Sequence, residues 1–206
     1  MTKRLRQHLN PLKMTALVPR GALELPPAGA LEAELGCGDA RFIIELARRH
    51  PDVRYVGLDV REGFLELGRE EVARLGLDNV QLERCNLMVD AAHLFPPGRV
   101  RRFYVNFPDP WFKERHKNRR WLDAAVLDHL VRALAPEGEL FFQSDVWELA
   151  LDALALFEAC PGLSNAAGGE WSFLRENPYG VRSNRELAVA AEGRPAWRLR
   201  FTRSGS

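Results

Sequence analysis

Strand-like and helix-like patterns alternate five times between residues 31 and 159, and this alternation limits the possible folds more than any other feature. Apolar runs at 31–35, 53–58, 79–85, 100–107 and 139–143 read as strands. Each is followed by a helical segment: from a cap at Asp39 to about Arg49, then 62–75, a short piece at 88–94, 119–134 and 146–159. The first of these helices puts Phe42, Ile43, Leu46 and Ala47 on one face, the spacing of a helix that packs on a sheet. This order predicts an α/β fold with a doubly wound, mostly parallel sheet and right-handed crossovers. Segments 171–174 and 197–201 are expected to add two strands, for seven in all.

The prolines at 11, 19, 26 and 27 break any period ahead of this region. Residues 1–30 are therefore expected to form a basic arm, with Lys3, Arg4, Arg6, Lys13 and Arg20, and residues 31–206 a single domain.

In a doubly wound sheet, ligands bind outside the carboxyl ends of the strands. The informative residues are therefore those that end strands: Glu34 to Gly38, Asp59, Asn86, the stretch from Asn106 to Trp111, and Ser144 with Asp145. Polar residues concentrate there, which a purely structural sheet does not require. Gly36 and Gly38 sit where the first strand turns into a helix and let the backbone approach a ligand closely. Asp59 follows Gly38 by 21 residues, at the end of the second strand, where a carboxylate accepts hydrogen bonds from ribose hydroxyls. A dinucleotide site wants a third glycine at position 41, which is Arg41 here, so the pattern favours a different nucleoside cofactor.

The stretch from Asn106 to Arg120 reads NFPDPWFKERHKNRR. Proline fixes φ and removes a donor, so Pro108-Asp109-Pro110 is a stiff strand exit that holds Asp109 and Trp111 in set directions. Trp111 and Phe112 suit either base stacking or core packing. Lys113, Arg115, Lys117, Arg119 and Arg120 follow as a basic run matched to a phosphate backbone. The 29 basic and 28 acidic residues nearly cancel, so nucleic-acid binding rests on such a local patch and not on global charge.

The glycine loop with Gly57-Leu58-Asp59 resembles the cofactor end of the class I S-adenosylmethionine-dependent methyltransferases, whose fold is Rossmann-like. The 106–120 stretch resembles one family among them, the tRNA (guanine-N7-)-methyltransferases of the TrmB type, and the likeness runs from about 30 to 201. It implies methyl transfer from S-adenosylmethionine to N7 of a guanine in the variable loop of tRNA. It implies cofactor contacts at Glu34, Gly36, Gly38, Asp59, Asn86 and Asp109, with Asp109 also catalytic. It places substrate contacts at Lys113, at Asp145, and at Ser183 and Glu186 of a Thr-x-aromatic-Glu motif in which Arg185 replaces the aromatic.

Two other readings stay open. An amino-group methyltransferase acting on another base carries a related Pro-Pro-aromatic loop, but without an acid between its prolines. A non-catalytic RNA-binding module with this fold has no need of Glu34, Asp59, Asp109 and Asp145. A nicotinamide dehydrogenase is disfavoured by Arg41.

Cys37, Cys85 and Cys160 leave an odd count without metal-ligand spacing, and the five histidines show none either, so no metal is expected. No apolar run spans a bilayer and the basic start lacks a signal-peptide core. The expected setting is cytoplasmic, as monomer or homodimer. If the five basic residues from Lys113 to Arg120 each meet a phosphate, log affinity for tRNA will fall with log salt at a slope of about −4, measurable by fluorescence anisotropy. A flat response would remove the run from the interface.

Overall fold

A computed structural model describes residues 22–25, 29–109 and 122–205. The basic run and the two aromatics at 111 and 112 therefore lie outside the described residues, as do 1–21 of the expected arm. Seven strands form one sheet among the described residues, in the order β3-β2-β1-β4-β5-β7-β6. They are β1 (Ala30–Leu35), β2 (Val53–Asp59), β3 (Val80–Arg84), β4 (Val100–Asn106), β5 (Leu134–Ser144), β6 (Leu163–Asn165) and β7 (Trp197–Arg203). The helices are α1 (Arg41–Arg49), α2 (Glu62–Leu75), α3 (Leu87–Asp90), α4 (Ala124–Ala133), α5 (Trp147–Glu158) and α6 (Asn184–Ala191). Strands β1 to β5 pair in parallel, while β7 runs antiparallel to both β5 and β6, so the sheet is mixed. The strand order reverses between β1 and β4, the switch point at which ligands are expected.

Alternation along each strand sorts residues between two faces. Leu31, Ala33 and Leu35 of β1, Phe103 and Val105 of β4, and Leu140 and Phe142 of β5 join the larger core, packed with Leu127 and Leu130 of α4 and Leu154 and Phe157 of α5. The opposite face meets α1, α2 and the segment that carries Leu174, Tyr179 and Val181. That second face is polar along much of its length. Glu32 is 1% exposed and takes hydrogen bonds from Arg101, Arg102 and Tyr104. Glu139 pairs with Arg102 and Arg200 and accepts from the Tyr179 hydroxyl. The ring of Tyr179 lies edge-on to Tyr104 and Phe141, 5.0 Å from each. Buried carboxylates survive here because each is matched by guanidinium and phenol donors.

Several sequence expectations are corrected. Helix α1 has Ala40 at its cap position, in the left-handed conformation at φ 60°, and Asp39 instead accepts from the Arg41 amide at 3.3 Å. Helix α5 is capped at Val146, whose amide is held by the Ser144 hydroxyl. No strand forms at 171–174, where Leu174 makes an isolated bridge to Arg198. The sixth strand is Leu163–Asn165, too short and too polar to read from alternation, and α6 was missed altogether. Strand β5 begins at Leu134, but the pairing register shifts between Val100 and Arg102, so its regular part is the 139–143 of the sequence reading. At the amino end, within the expected arm, Leu23 is 6% exposed and packs in the larger core.

Gly57 of β2 lies against β3, α1 and the turn that follows β1. A Cβ there would sit 2.6 Å from Leu82, 2.8 Å from Ile43 and 2.9 Å from Cys37. Gly57→Ala is therefore expected to cost about 1–3 kcal/mol, seen as a melting-temperature drop of about 2–10 °C in calorimetry. An unchanged melt would mean that the core relaxes around the methyl group.

Candidate functional site

The turn after β1 is built for close approach. Gly36 (φ 82°) and Gly38 (φ 57°) are both left-handed, and a Cβ on Gly36 would meet nothing within 4 Å. Gly36 and Cys37 donate their amides to the Leu58 carbonyl, tying the turn to β2. Cys37 fills the space beside Gly57, and burial pushes its thiol up, well away from a reactive thiolate.

Asp59 ends β2 and is 4% exposed. One of its oxygens accepts from the Gly38 amide at 2.8 Å, so it pins the turn. Arg61 occupies both oxygens as well, through Nε at 2.9 Å and Nη2 at 2.8 Å. The guanidinium thus presents to Asp59 the paired donors that two ribose hydroxyls would offer. Asp109 adds its negative charge to the field on Arg61, which brings the end of β4 into the same electrostatic cluster.

Glu34 is 2% exposed at the end of β1. Its Oε1 accepts from the Asn106 amide at 2.7 Å. Its Oε2 is buried and has no hydrogen-bond partner among the described residues. Burial pushes the Glu34 carboxyl up to about 8, against the Asn106 hydrogen bond that favours the anion, and Asp39 and Asp59 add repulsion. An orphaned carboxylate oxygen of this kind is costly unless a cation or donor meets it. The ammonium of an amino-acid moiety suits it, and the open glycine turn and the Asp59 carboxylate suit a nucleoside. The residues present therefore fit S-adenosylmethionine at both its ends.

A chain of hydrogen bonds runs from Glu34 across the sheet. Asn106 of β4 accepts at Oδ1 from Gln143 of β5 at 2.8 Å. The same Gln143 nitrogen reaches Glu186 of α6 at 3.1 Å. Arg198 of β7 closes the far end, donating to Glu186 at 2.9 Å and to Gln143 at 3.2 Å. Sequence reasoning named Asn106 only as a strand end and missed Gln143 and Arg198. A glutamine at the end of a buried strand was the available signal.

The structure gathers Glu34, Gly36, Gly38, Asp59 and Asp109 at the carboxyl ends of β1, β2 and β4. Asn86 is 5% exposed after β3, where its oxygen caps α3 by accepting from Met88 at 3.2 Å. Phe107 precedes the Pro108 exit with φ 50°, a strained conformation for an aromatic residue. Asp145 is not presented as an unpaired base-reading acid. Against the cost of burial, hydrogen bonds from Arg185 and Arg194 hold it below the usual carboxylate range. Ser183 caps α6 by accepting from the Glu186 amide at 3.2 Å. Glu186 is 2% exposed and is also held by Asn177 at 2.9 Å. Lys113, Arg115, Lys117, Arg119 and Arg120 lie outside the described residues. Among the described residues no cluster suited to a metal ion occurs, and no helix is long and apolar enough to cross a membrane.

A family model described as "Putative methyltransferase" matches residues 29–199. A tRNA (guanine-N(7)-)-methyltransferase of Nostoc sp. (strain PCC 7120 / SAG 25.82 / UTEX 2576) is 34% identical over 209 residues, covering 98% of this chain and 94% of the relative. The protein of the same name from Synechocystis sp. (strain ATCC 27184 / PCC 6803 / Kazusa) is 33% identical and covers 98% of both chains. Among solved structures, the 16S rRNA methyltransferase KamB superposes with a TM-score of 0.58 at 16% identity, covering 85% of this chain and 88% of that one. The aminoglycoside resistance methyltransferase NpmB1 gives 0.57 at 23% identity, covering 85% and 87%. At these identities the two structures speak for the fold alone.

Glu34 carries a pH signature. Its folded pKa of about 8 lies above the unfolded value of 4.5, so the folded state keeps a proton that the unfolded state loses. That contribution to stability is present below pH 4.5 and is lost as pH rises towards 8. Glu34→Gln should therefore gain on the parent protein by about 1 kcal/mol or more between pH 5 and 8, measured by urea unfolding at each pH. Parallel stability curves would show that Glu34 does not titrate in this window.

Proposed function

The chain belongs to the tRNA (guanine-N(7)-)-methyltransferase family, and on that premise we propose how its site performs methyl transfer from S-adenosylmethionine to N7 of a guanine in tRNA. When bound, the cofactor supplies a methyl group on a positively charged sulfur, which a lone pair can displace in line. The observation that carries the reading is the buried, unpartnered Oε2 of Glu34 beside the open glycine turn.

Glu34 would hold the cofactor's ammonium at that oxygen, and Gly36 and Gly38 would let the turn's backbone come close to it. Asp59 would accept from its ribose hydroxyls in place of Arg61, and Asn86 would border it from the end of β3. N7 of guanine already carries a free lone pair, so no proton has to leave before attack and no general base is required. The product ring gains positive charge. Rate acceleration then comes from alignment and electrostatics.

Asp109 has both tasks at the end of β4. It borders the cofactor and grips the guanine N–H groups, and its charge favours the cation that develops in the ring. The turn at Phe107 and the fixed φ of Pro108 keep it from swinging away. Lys113 contacts the substrate, and Arg115, Lys117, Arg119 and Arg120 take phosphates. Asp145 at the end of β5, and Ser183 and Glu186 at the start of α6, border the base. The hydrogen bonds of Asp145 and Glu186 favour positioning over direct readout, because their oxygens already hold Arg185, Arg194, Arg198, Gln143 and Asn177. The target guanine is in the variable loop.

The test supplies purified protein with radiolabelled S-adenosylmethionine and unmodified tRNA, and identifies the labelled nucleoside and its position by nuclease mapping. Label is expected in 7-methylguanosine of the variable loop. Asp109→Ala should lower kcat by about 100-fold or more while S-adenosylhomocysteine binding, by calorimetry, changes only a few-fold. Equal loss of both would reduce Asp109 to a cofactor contact. Label in an amino-methylated base would overturn the N7 assignment.

A further inference from the structure

A cavity of about 490 Å³ lies between the turn at 175–182 and α6. Its inner wall is the far end of the buried hydrogen-bond chain. There Glu186 is saturated by Gln143, Asn177 and Arg198, and Arg198 gives its remaining donors to the carbonyls of Arg175 and Ala196. Buried charge on this wall therefore cancels, and its acceptors are filled.

The rim differs. Arg175 and Arg182 both line the cavity and are exposed. Neither guanidinium makes a hydrogen bond or an ion pair among the described residues. Most arginines around them behave otherwise: Arg185 and Arg194 are both drawn to Asp145, and Arg200 to Glu139. The turn that carries the two is also held in place. Asn177 donates to the Val181 carbonyl at 2.8 Å and accepts from the Tyr179 amide at 3.0 Å. Arg49 of α1 holds the Gly180 carbonyl at 2.9 Å, and the Tyr179 ring is wedged against Tyr104 and Phe141. Two exposed cations on a held turn at the mouth of the cavity, against the one exposed carboxylate of Glu176, leave a net positive rim that suits an anion from outside. The N-terminus of α6 adds a partial positive charge beside Arg182.

We propose that Arg175 and Arg182 form a phosphodiester subsite for the tRNA strand next to the target guanosine. The inference rests on the reading of the chain as a tRNA methyltransferase. The cavity wall connects through Glu186, Gln143 and Asn106 to Glu34, so the subsite is joined by side chains to the sheet end where methyl transfer takes place. A planar guanidinium fork matches phosphate oxygens in pairs, and two forks on one rim clamp one linkage. The linkage orients the strand without reading sequence. This subsite is separate in the chain from the basic run at 113–120.

The experiment measures tRNA binding by fluorescence anisotropy from about 50 to 200 mM salt, together with steady-state kinetics, for the full chain, R175A, R182A and the double variant. Arg74→Ala, an exposed arginine on α2 paired with Glu71, is the control. The double variant should raise KM for tRNA by about tenfold and flatten the log–log salt slope by about 1. Its kcat, melting temperature and S-adenosylhomocysteine affinity should stay within about twofold or a few degrees of the parent. R182K should recover most of the salt slope but not the full affinity, because an ammonium lacks the fork. A second arm uses synthetic tRNA with a methylphosphonate at each linkage flanking the target in turn. One such linkage should weaken binding to the parent protein and cause no further loss in the double variant.

A double variant with the parent's KM and slope, or methylphosphonate losses that add in full to those of the double variant, would overturn the proposal. The binding arm needs no turnover. A protein that binds tRNA through these arginines without forming 7-methylguanosine would refute the reaction and leave the subsite standing.

Discussion

One buried hydrogen-bond chain ties the active end of this protein together. Glu34, Asn106, Gln143 and Glu186 come from four different elements, and Arg198 from a fifth. Each side chain is buried or nearly so, and each satisfies the next. Removing one member would leave its neighbour with an unmet donor or acceptor in a dry site, which costs more than the bond itself contributed. The chain therefore fixes the spacing of β1, β4, β5 and α6 at the carboxyl ends of the strands. Among the described residues its one buried side-chain oxygen without a hydrogen-bond partner is Glu34 Oε2.

The sheet supplies the frame. Its reversal between β1 and β4 opens a crevice, and its two faces serve different ends. The face under α4 and α5 is apolar and carries most of the burial. The face under α1 and α2 carries Glu32, Glu139 and their arginines, so the packing there depends on pairing more than on transfer from water. Paired charges have directional partners, which suits a face that must hold a loop such as 175–182 in one position.

Asp59 and Asp145 show two uses of the same chemistry. Each is a strand-end carboxylate bound by arginine. At Asp59 the partner is Arg61, a neighbour in sequence at the cap of α2, which bonds both carboxylate oxygens. At Asp145 two guanidiniums, from α6 and the segment after it, lock the helix to the end of β5.

Five parallel strands, the glycine turn, Asp59 and the exit at Asp109 were legible in the sequence, because each depends on local order: alternation of apolar residues, glycine where φ is positive, proline where φ is fixed. The sequence also carried the family pattern. Tertiary structure alone decided that β6 is Leu163–Asn165, that 184–191 is helical, and that Gln143 and Arg198 belong to the site. These depend on contacts between residues far apart in the chain. The family motif points to Glu186, but only the fold shows it buried and held by Gln143, Asn177 and Arg198, and Arg175 and Arg182 read like any other arginines until the fold places them at one cavity rim. A side chain's type is local, but whether its charge is matched is settled by what folding brings next to it.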